Sequence, residues 1–276
     1  MKVCVLNSSG NVGKSTITRE LLNPRLEGCE VVEVESQNSS NSAFKAVNTV
    51  KFFGNENFET FYEYMLNEKN TIFDIGASEI ASFFENATEY AGAIDVFDIF
   101  VIPSVPDLKI MEDTVKTILF LRSQDISDQK IRVVFNRVDK SVEADFAPLL
   151  RFTFDFDKDL FIKESNFFKD LSLLRSTFLE VYNPDKKHYK NLMFAATQPE
   201  EKRRYLKSDL LNMGAEKKII ELDYLFNKVT GKNVNSLSSF SPAKSEDKPK
   251  TAPQKVEIKT TQPEDNDGMS DNDEEL

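Results

Sequence analysis

The sequence predicts an α/β fold: a doubly wound, mostly parallel sheet with a C-terminal helical annex and a disordered acidic tail. Three observations carry this reading. Short, continuous apolar runs recur at residues 3–6, 31–34, 71–75, 97–102 and 131–135. Polar, helix-compatible stretches separate them, and beyond about residue 233 large apolar side chains become scarce. With 276 residues, 40% hydrophobic and 11% aromatic, the chain can bury a sizeable core.

The apolar runs are continuous rather than alternating, as in strands covered on both faces of a parallel sheet. Residues 14–22, 57–66, 78–90 and 108–123 read as the intervening helices, and strands alternating with helices imply right-handed crossovers. Residues 1–150 form the predicted core domain. The annex is placed at 151–232, where Phe152, Phe154, Phe156, Phe161, Phe167 and Phe168 crowd a charged segment before helices dominate. Thr197-Gln198-Pro199-Glu200 reads as a helix start, with threonine as cap and proline in the first turn. Ile219, Leu222, Leu225, Phe226 and Val229 repeat at helical spacing, and Gly231 reads as the stop.

Residues 233–276 are rich in Ser, Pro, Lys and Glu, and Phe240, Val256 and Ile258 are among their few large apolar side chains. Such a segment buries too little surface to offset its ordering entropy, so a disordered tail is expected. Its end, 264–276, holds seven acids and no base, and reads as a solvated tether.

A net charge of −11 argues against a general electrostatic hold on nucleic acid or an anionic membrane. The basic clusters at 186–190 and 200–207 read as solvated helix faces, so contact with DNA is expected to be indirect. Cys4 and Cys29 lie in or beside apolar runs, without the Cys/His spacing of a zinc site, and are expected to be reduced and buried. An apolar run begins by Val3, leaving no room for a signal peptide, and no stretch approaches the roughly 20 apolar residues of a membrane span. The expected compartment is the cytoplasm. His188, the sole histidine, lies in a polar run and suggests no nucleophilic constellation.

The chemistry is concentrated at the end of the first apolar run. Ser9-Gly10-Asn11-Val12-Gly13-Lys14-Ser15-Thr16 follows it and opens a helical stretch. Polyphosphate binding needs convergent backbone N–H groups, a lysine for the outer phosphates and a hydroxyl for Mg²⁺. Gly10 and Gly13 allow a tight backbone, Lys14 supplies the charge and Ser15 the hydroxyl. The strict pattern G-x-x-x-x-G-K-[ST] also needs glycine at position 8, where this chain has Ser8. A second strand-like run ends in Asp74-Ile75-Gly76, placing an acid where Mg²⁺ would be held through water. A third ends in Asn136-Arg137-Val138-Asp139. The Asn136 amide can match a purine edge, and the Asn-x-x-Asp spacing leaves ATP and GTP both open.

These segments, with Val34-Glu35-Ser36, Val101-Ile102-Pro103-Ser104-Val105-Pro106 and Phe146-Ala147-Pro148-Leu149-Leu150, resemble StbB-type plasmid stability proteins of the ParA/MinD group of P-loop ATPases, over about residues 1–230. The resemblance implies a role in plasmid partition and stability, extending to conjugative transfer, alongside a small DNA-binding partner protein. It also implies Mg²⁺-ATP as ligand and a nucleotide-dependent homodimer. Glu35 stands where the family's aspartate lies near the attacking water. Ser9 stands where the family has a lysine that crosses the dimer interface, and Asn11 replaces a family glycine. Without that lysine, hydrolysis is expected to be slow, absent or reliant on another cation such as Arg19 or Lys109. Two functions follow as expectations: an NTP-driven partition factor, or a non-hydrolysing adapter that uses nucleotide as a structural ligand. A ligase on the same scaffold is a third, for which no second substrate motif is found.

Overall fold

The computed structural model describes residues 1–35, 41–52 and 58–235. Seven strands form one sheet: β1 (Lys2–Val5), β2 (Glu30–Val34), β3 (Thr49–Phe52), β4 (Thr71–Ile75), β5 (Ile99–Ser104), β6 (Ile131–Val138) and β7 (Phe161–Lys163). Their order is β3-β2-β4-β1-β5-β6-β7, and every adjacent pair is parallel. The helices are α1 (Lys14–Thr16), α2 (Phe58–Leu66), α3 (Ile80–Glu89), α4 (Leu108–Ser123), α5 (Val142–Asp145), α6 (Phe167–Leu174), α7 (Phe178–Val181), α8 (His188–Ala195) and α9 (Pro199–Thr230).

The continuity of the apolar runs is explained by two cores, one on each face of the sheet. Cys4, Phe73, Phe100 and Ile102 point to one face, where Phe61 and Met65 of α2, Ile80 and Phe83 of α3, and Met111 and Ile118 of α4 cover them. Val3, Val5, Ile72, Ile99 and Val101 point to the other, beneath Ile17 and Leu21 and the α9 stripe Ile219, Leu222, Phe226 and Val229. Each fully buried side chain of this size contributes roughly 1.5–3 kcal/mol. The doubly wound parallel sheet is therefore present as predicted.

The edges differ from expectation. β3 and β7 escape a search for apolar runs because each is short and carries a lysine. β7 falls within the stretch read as helical annex and extends the sheet beyond β6. β5 starts two residues later than its apolar run: Phe97 is buried but precedes the strand, packing edge-on to Phe73 at 5.2 Å. Thr197 does not cap α9; Gln198 occupies the cap position without a side-chain bond, and Pro199 takes the first turn. Gly231 does end that helix, in the left-handed region at φ 68°. Residues 236–276, most of the expected tail, lie outside the described residues. Among the described residues no helix is long and apolar enough to cross a membrane.

α1 continues through a π-helical segment, Ile17–Leu22, in which the Asn23 N–H reaches Thr18 O, and then a 3₁₀ turn, Asn23–Arg25. This run is pinned from behind. The Arg25 Nε donates to Asp223 Oδ1 of α9 at 2.7 Å, and its other nitrogens reach the carbonyls of Glu20, Leu21 and Ile219. Glu20 Oε2 accepts the Phe178 N–H at 3.0 Å. The helix carrying Lys14 and Ser15 is thereby fixed to α7 and α9.

Candidate functional site

β1 lies between β4 and β5, where successive crossovers diverge to opposite sides, and parallel sheets bind ligands at the strand C-terminal ends at such a point. The segment 7–13 turns there. Asn7 holds its base: the amide donates to Pro103 O at 2.8 Å and to Thr114 Oγ1 at 3.1 Å, and Oδ1 accepts the Ser9 N–H. Two loop residues are left-handed, Asn11 at φ 57° and Gly13 at φ 97°. Asparagine is among the few non-glycine residues that enter this region readily, which accounts for its standing in place of a glycine. Asn11→Gly is accordingly expected to leave the melting temperature nearly unchanged. Asn11→Val should cost about 1–2 kcal/mol in thermal denaturation, because a β-branched side chain is strained there.

Gly13 is needed for space as well as for φ, since a Cβ there would collide with Asn136 Nδ2. The Asn136 amide donates to Val12 O at 2.9 Å and its Oδ1 accepts the Arg137 N–H. Both ends of the predicted base-reading amide are thus committed to the loop and its own strand. To read a purine, it would have to exchange these bonds.

Lys14 is buried, and its ammonium donates to Ser9 O at 2.7 Å and Asn7 O at 3.1 Å. Burial pulls its pKa below the usual lysine value, while Asp74 and Glu35 work against that pull. Asp74, opposite Val5 in the sheet register, is buried, accepts from the Asn41 amide at 2.6 Å and is hydrogen-bonded by Ser15. Burial raises its pKa to about 6, offset in part by Ser15, Asn41 and Lys14. Glu35 accepts the Ser78 hydroxyl at 2.7 Å and packs so closely on Gly76 that a Cβ there would strike its carboxylate.

These groups border one cavity of about 530 Å³, lined by Gly10, Asn11, Gly13, Lys14, Ser15 and Thr16 and, across from them, by Glu35 and Asp74. Ser9 and Val12 are buried and do not line it. The donor set fits Mg²⁺: hard oxygens from one hydroxyl and one carboxylate, already hydrogen-bonded to each other. Among the described residues, no group of three or more His, Cys, Asp or Glu could hold a metal by itself. Mg²⁺ commonly keeps several waters and takes phosphate oxygens, so one or two protein ligands suffice.

Four residues that the sequence reading passed over belong here. Glu33 pairs in register with Asp74 and lines the cavity; its signal was an acid inside the otherwise apolar run Val31-Val32-Glu33-Val34. Asn41 orients Asp74 from a segment without regular structure, so periodicity gives no clue to it. Asp113 accepts the Ser9 hydroxyl at 2.7 Å. Arg137 lines the cavity and donates to Asn11 O at 3.0 Å. The other cations considered are placed elsewhere: Arg19 is buried over the Phe44 ring at 3.8 Å and bonded to Glu20, and Lys109 is exposed at the start of α4.

No protein-family model and no curated protein matches this chain. Solved structures similar to it include the ATP complex of a McdA variant from Cyanothece, at 13% identity and a TM-score of 0.43 over 76% of this chain and 95% of that one. The MinC:MinD cell division complex of Aquifex aeolicus is similar at 11% identity and a TM-score of 0.47, covering 77% and 95% respectively. A candidate plasmid partition protein of Borrelia burgdorferi B31 bound to AMPPNP is similar at 14% identity and a TM-score of 0.46, covering 79% and 99%. At these values the likenesses carry no weight in assigning the site, whose chemistry rests on its own residues.

Proposed function

We propose that this chain is a ParA-like P-loop protein that binds Mg²⁺-ATP and acts in plasmid stability as an StbB-type partition factor. The observation that carries the nucleotide reading is the convergence of Lys14, Ser15 and Asp74 on one cavity beneath a loop with two left-handed residues. In this reading the amides of residues 9–16 and the Lys14 ammonium hold the phosphates, and Ser15 and Asp74 hold Mg²⁺. Bound Mg²⁺ would neutralise charge on the outer phosphates. Glu35 positions water, and Asn136 contributes at the base once it releases Val12. The compartment is the cytoplasm, and DNA is reached through a small DNA-binding partner.

Hydrolysis is slow in this reading. The Ser9 hydroxyl is tied to Asp113 of α4, so a hydroxyl bonded to an acid stands where the resemblance calls for a cation, and such a cation can be worth ~10³–10⁵ in rate. The same observation favours a second reading, a non-hydrolysing adapter in which nucleotide is a structural ligand.

The decisive experiment is thermal unfolding with Mg²⁺ and ATP, GTP or neither. Ligand at 100 times its Kd stabilises a protein by about 2.7 kcal/mol. We expect a rise in Tm with ATP in the wild type and none in Lys14→Ala. No rise with either nucleotide at millimolar concentration would remove the nucleotide reading. Binding with no phosphate release over hours would select the adapter.

A further inference from the structure

Strand β6 breaks its own alternation at its outer end. Val133 and Phe135 pack into the core beside Phe146, and a regular pleat would send residue 137 there as well. Instead the register shifts between Asn136 and Val138, and Val138 joins that core. Arg137 is the residue expelled, and bulges re-aim side chains in this way. Its φ is 58°, a left-handed conformation that a residue with a Cβ seldom adopts. Asp125 and Arg175 share it beside helix ends and Asn11 in the phosphate loop, so among the described non-glycine residues Arg137 alone adopts it inside a strand.

The exposed side chain that results lines the nucleotide cavity, where it and Lys14 are the cations among the described residues. The register runs from Asp74 through Val5 and Val101 to Arg132, so Arg137 lies five residues further out along the strands than Asp74. It is also three strands across, in the order β4-β1-β5-β6, or roughly 14 Å at the usual strand spacing. With Mg²⁺ and the outer phosphates at Ser15 and Asp74, the end of the ligand that reaches Arg137 is the nucleoside. There the guanidinium gives one donor to Asn11 O at 3.0 Å. Among the described residues it makes no other hydrogen bond, no ion pair and no aromatic contact, so its flat face is uncovered.

We propose that Arg137 holds the nucleotide by the face of its base, the planar guanidinium stacking on the purine at the mouth of the cavity. The inference rests on the nucleotide reading above and adds the group that grips the nucleoside. Stacking of this kind distinguishes arginine from lysine and is indifferent to the edge groups by which adenine and guanine differ.

Titration calorimetry with Mg²⁺ and ATP, GTP or tripolyphosphate tests it. Arg137→Ala keeps a Cβ at the same φ, so it removes the guanidinium without changing the demand on the backbone. Its affinity for ATP and for GTP should each fall about tenfold, while tripolyphosphate, which has no base, should bind as it does to the wild type. Arg137→Lys, which keeps the charge and loses the plane, should stay weaker than the wild type for both nucleotides. An equal loss for tripolyphosphate would put Arg137 on the phosphates, and a loss confined to one nucleotide would put it on a base edge. Wild-type affinity in Arg137→Ala or in Arg137→Lys would leave the base to other groups. Each of these overturns the proposal and leaves the nucleotide reading standing, whereas a wild type that binds neither ATP nor GTP removes both.

Discussion

Asp223→Ala is expected to destabilise the protein by about 3–5 kcal/mol, although residue 223 lies far along the sequence from the candidate site. Its partner explains the size. The Arg25 side chain is fully buried, and Asp223 Oδ1 is the carboxylate oxygen bonded to its guanidinium; Glu20 acts on it more weakly through space, and the other acceptors are backbone carbonyls. Breaking a buried pair leaves an uncompensated charge, which costs far more than the pair itself contributes. Urea denaturation should show a lower midpoint with little change in slope. The double variant Arg25→Met with Asp223→Leu should recover most of the loss, because an apolar pair of similar volume fits the same space without the desolvation cost. A single variant within about 1 kcal/mol of the wild type would show that water reaches Arg25. Arg25 closes the turn that follows Lys14 and Ser15, so Asp223→Ala should also weaken nucleotide binding, while the double variant should restore it.

The layout of the sheet was legible because burial on both faces leaves an unmistakable trace: Val3 to Leu6 and Ile99 to Ile102 are apolar on both sides of the pleat. β3 and β7 left none, since edge strands need apolar residues on fewer positions and Lys51 and Lys163 interrupt the runs. The loop was legible for another reason. Phosphate binding demands particular backbone freedom at Gly10 and Gly13 and particular groups at Lys14 and Ser15, all within one short segment. What escaped was whatever depends on register between distant segments. Glu33 meets Asp74 only because β2 pairs with β4, and Asp113 meets Ser9 only because α4 returns beside the loop. Asn136 shows the converse difficulty: its residue type and strand-end position suggested a base reader, but its neighbours in space are Val12 and Gly13.

Asp74→Asn is expected to act in opposite directions on the empty and loaded protein. Without ligand, the Asp74 carboxyl titrates at about 6, against an ordinary value of 3.8, mainly because burial penalises its charge. Folding therefore favours the protonated form. This contribution to stability is fully present below pH 3.8 and is lost as pH rises through about 6. At about 1.4 kcal/mol per tenfold, the ionised group costs the fold on the order of 3 kcal/mol at pH 7.5. Asparagine has the same shape and no charge. Its carbonyl can accept from Ser15, and its amide can donate to Asn41 Oδ1, a buried atom that has no hydrogen-bond partner among the described residues, if the Asn41 amide turns over. The ligand-free variant should melt higher than the wild type at pH 7.5 and lose that advantage near pH 4. With Mg²⁺ and ATP at about 1,000 times Kd, which stabilises the wild type by about 4.1 kcal/mol, the order should reverse, because the variant cannot place a negative charge beside the metal, and its nucleotide-dependent rise in Tm should fall to that of Lys14→Ala. An Asp74→Asn protein less stable than the wild type at pH 7.5 without ligand would mean that its hydrogen bonds outweigh its burial. One that kept the full nucleotide response would place Mg²⁺ elsewhere in the cavity.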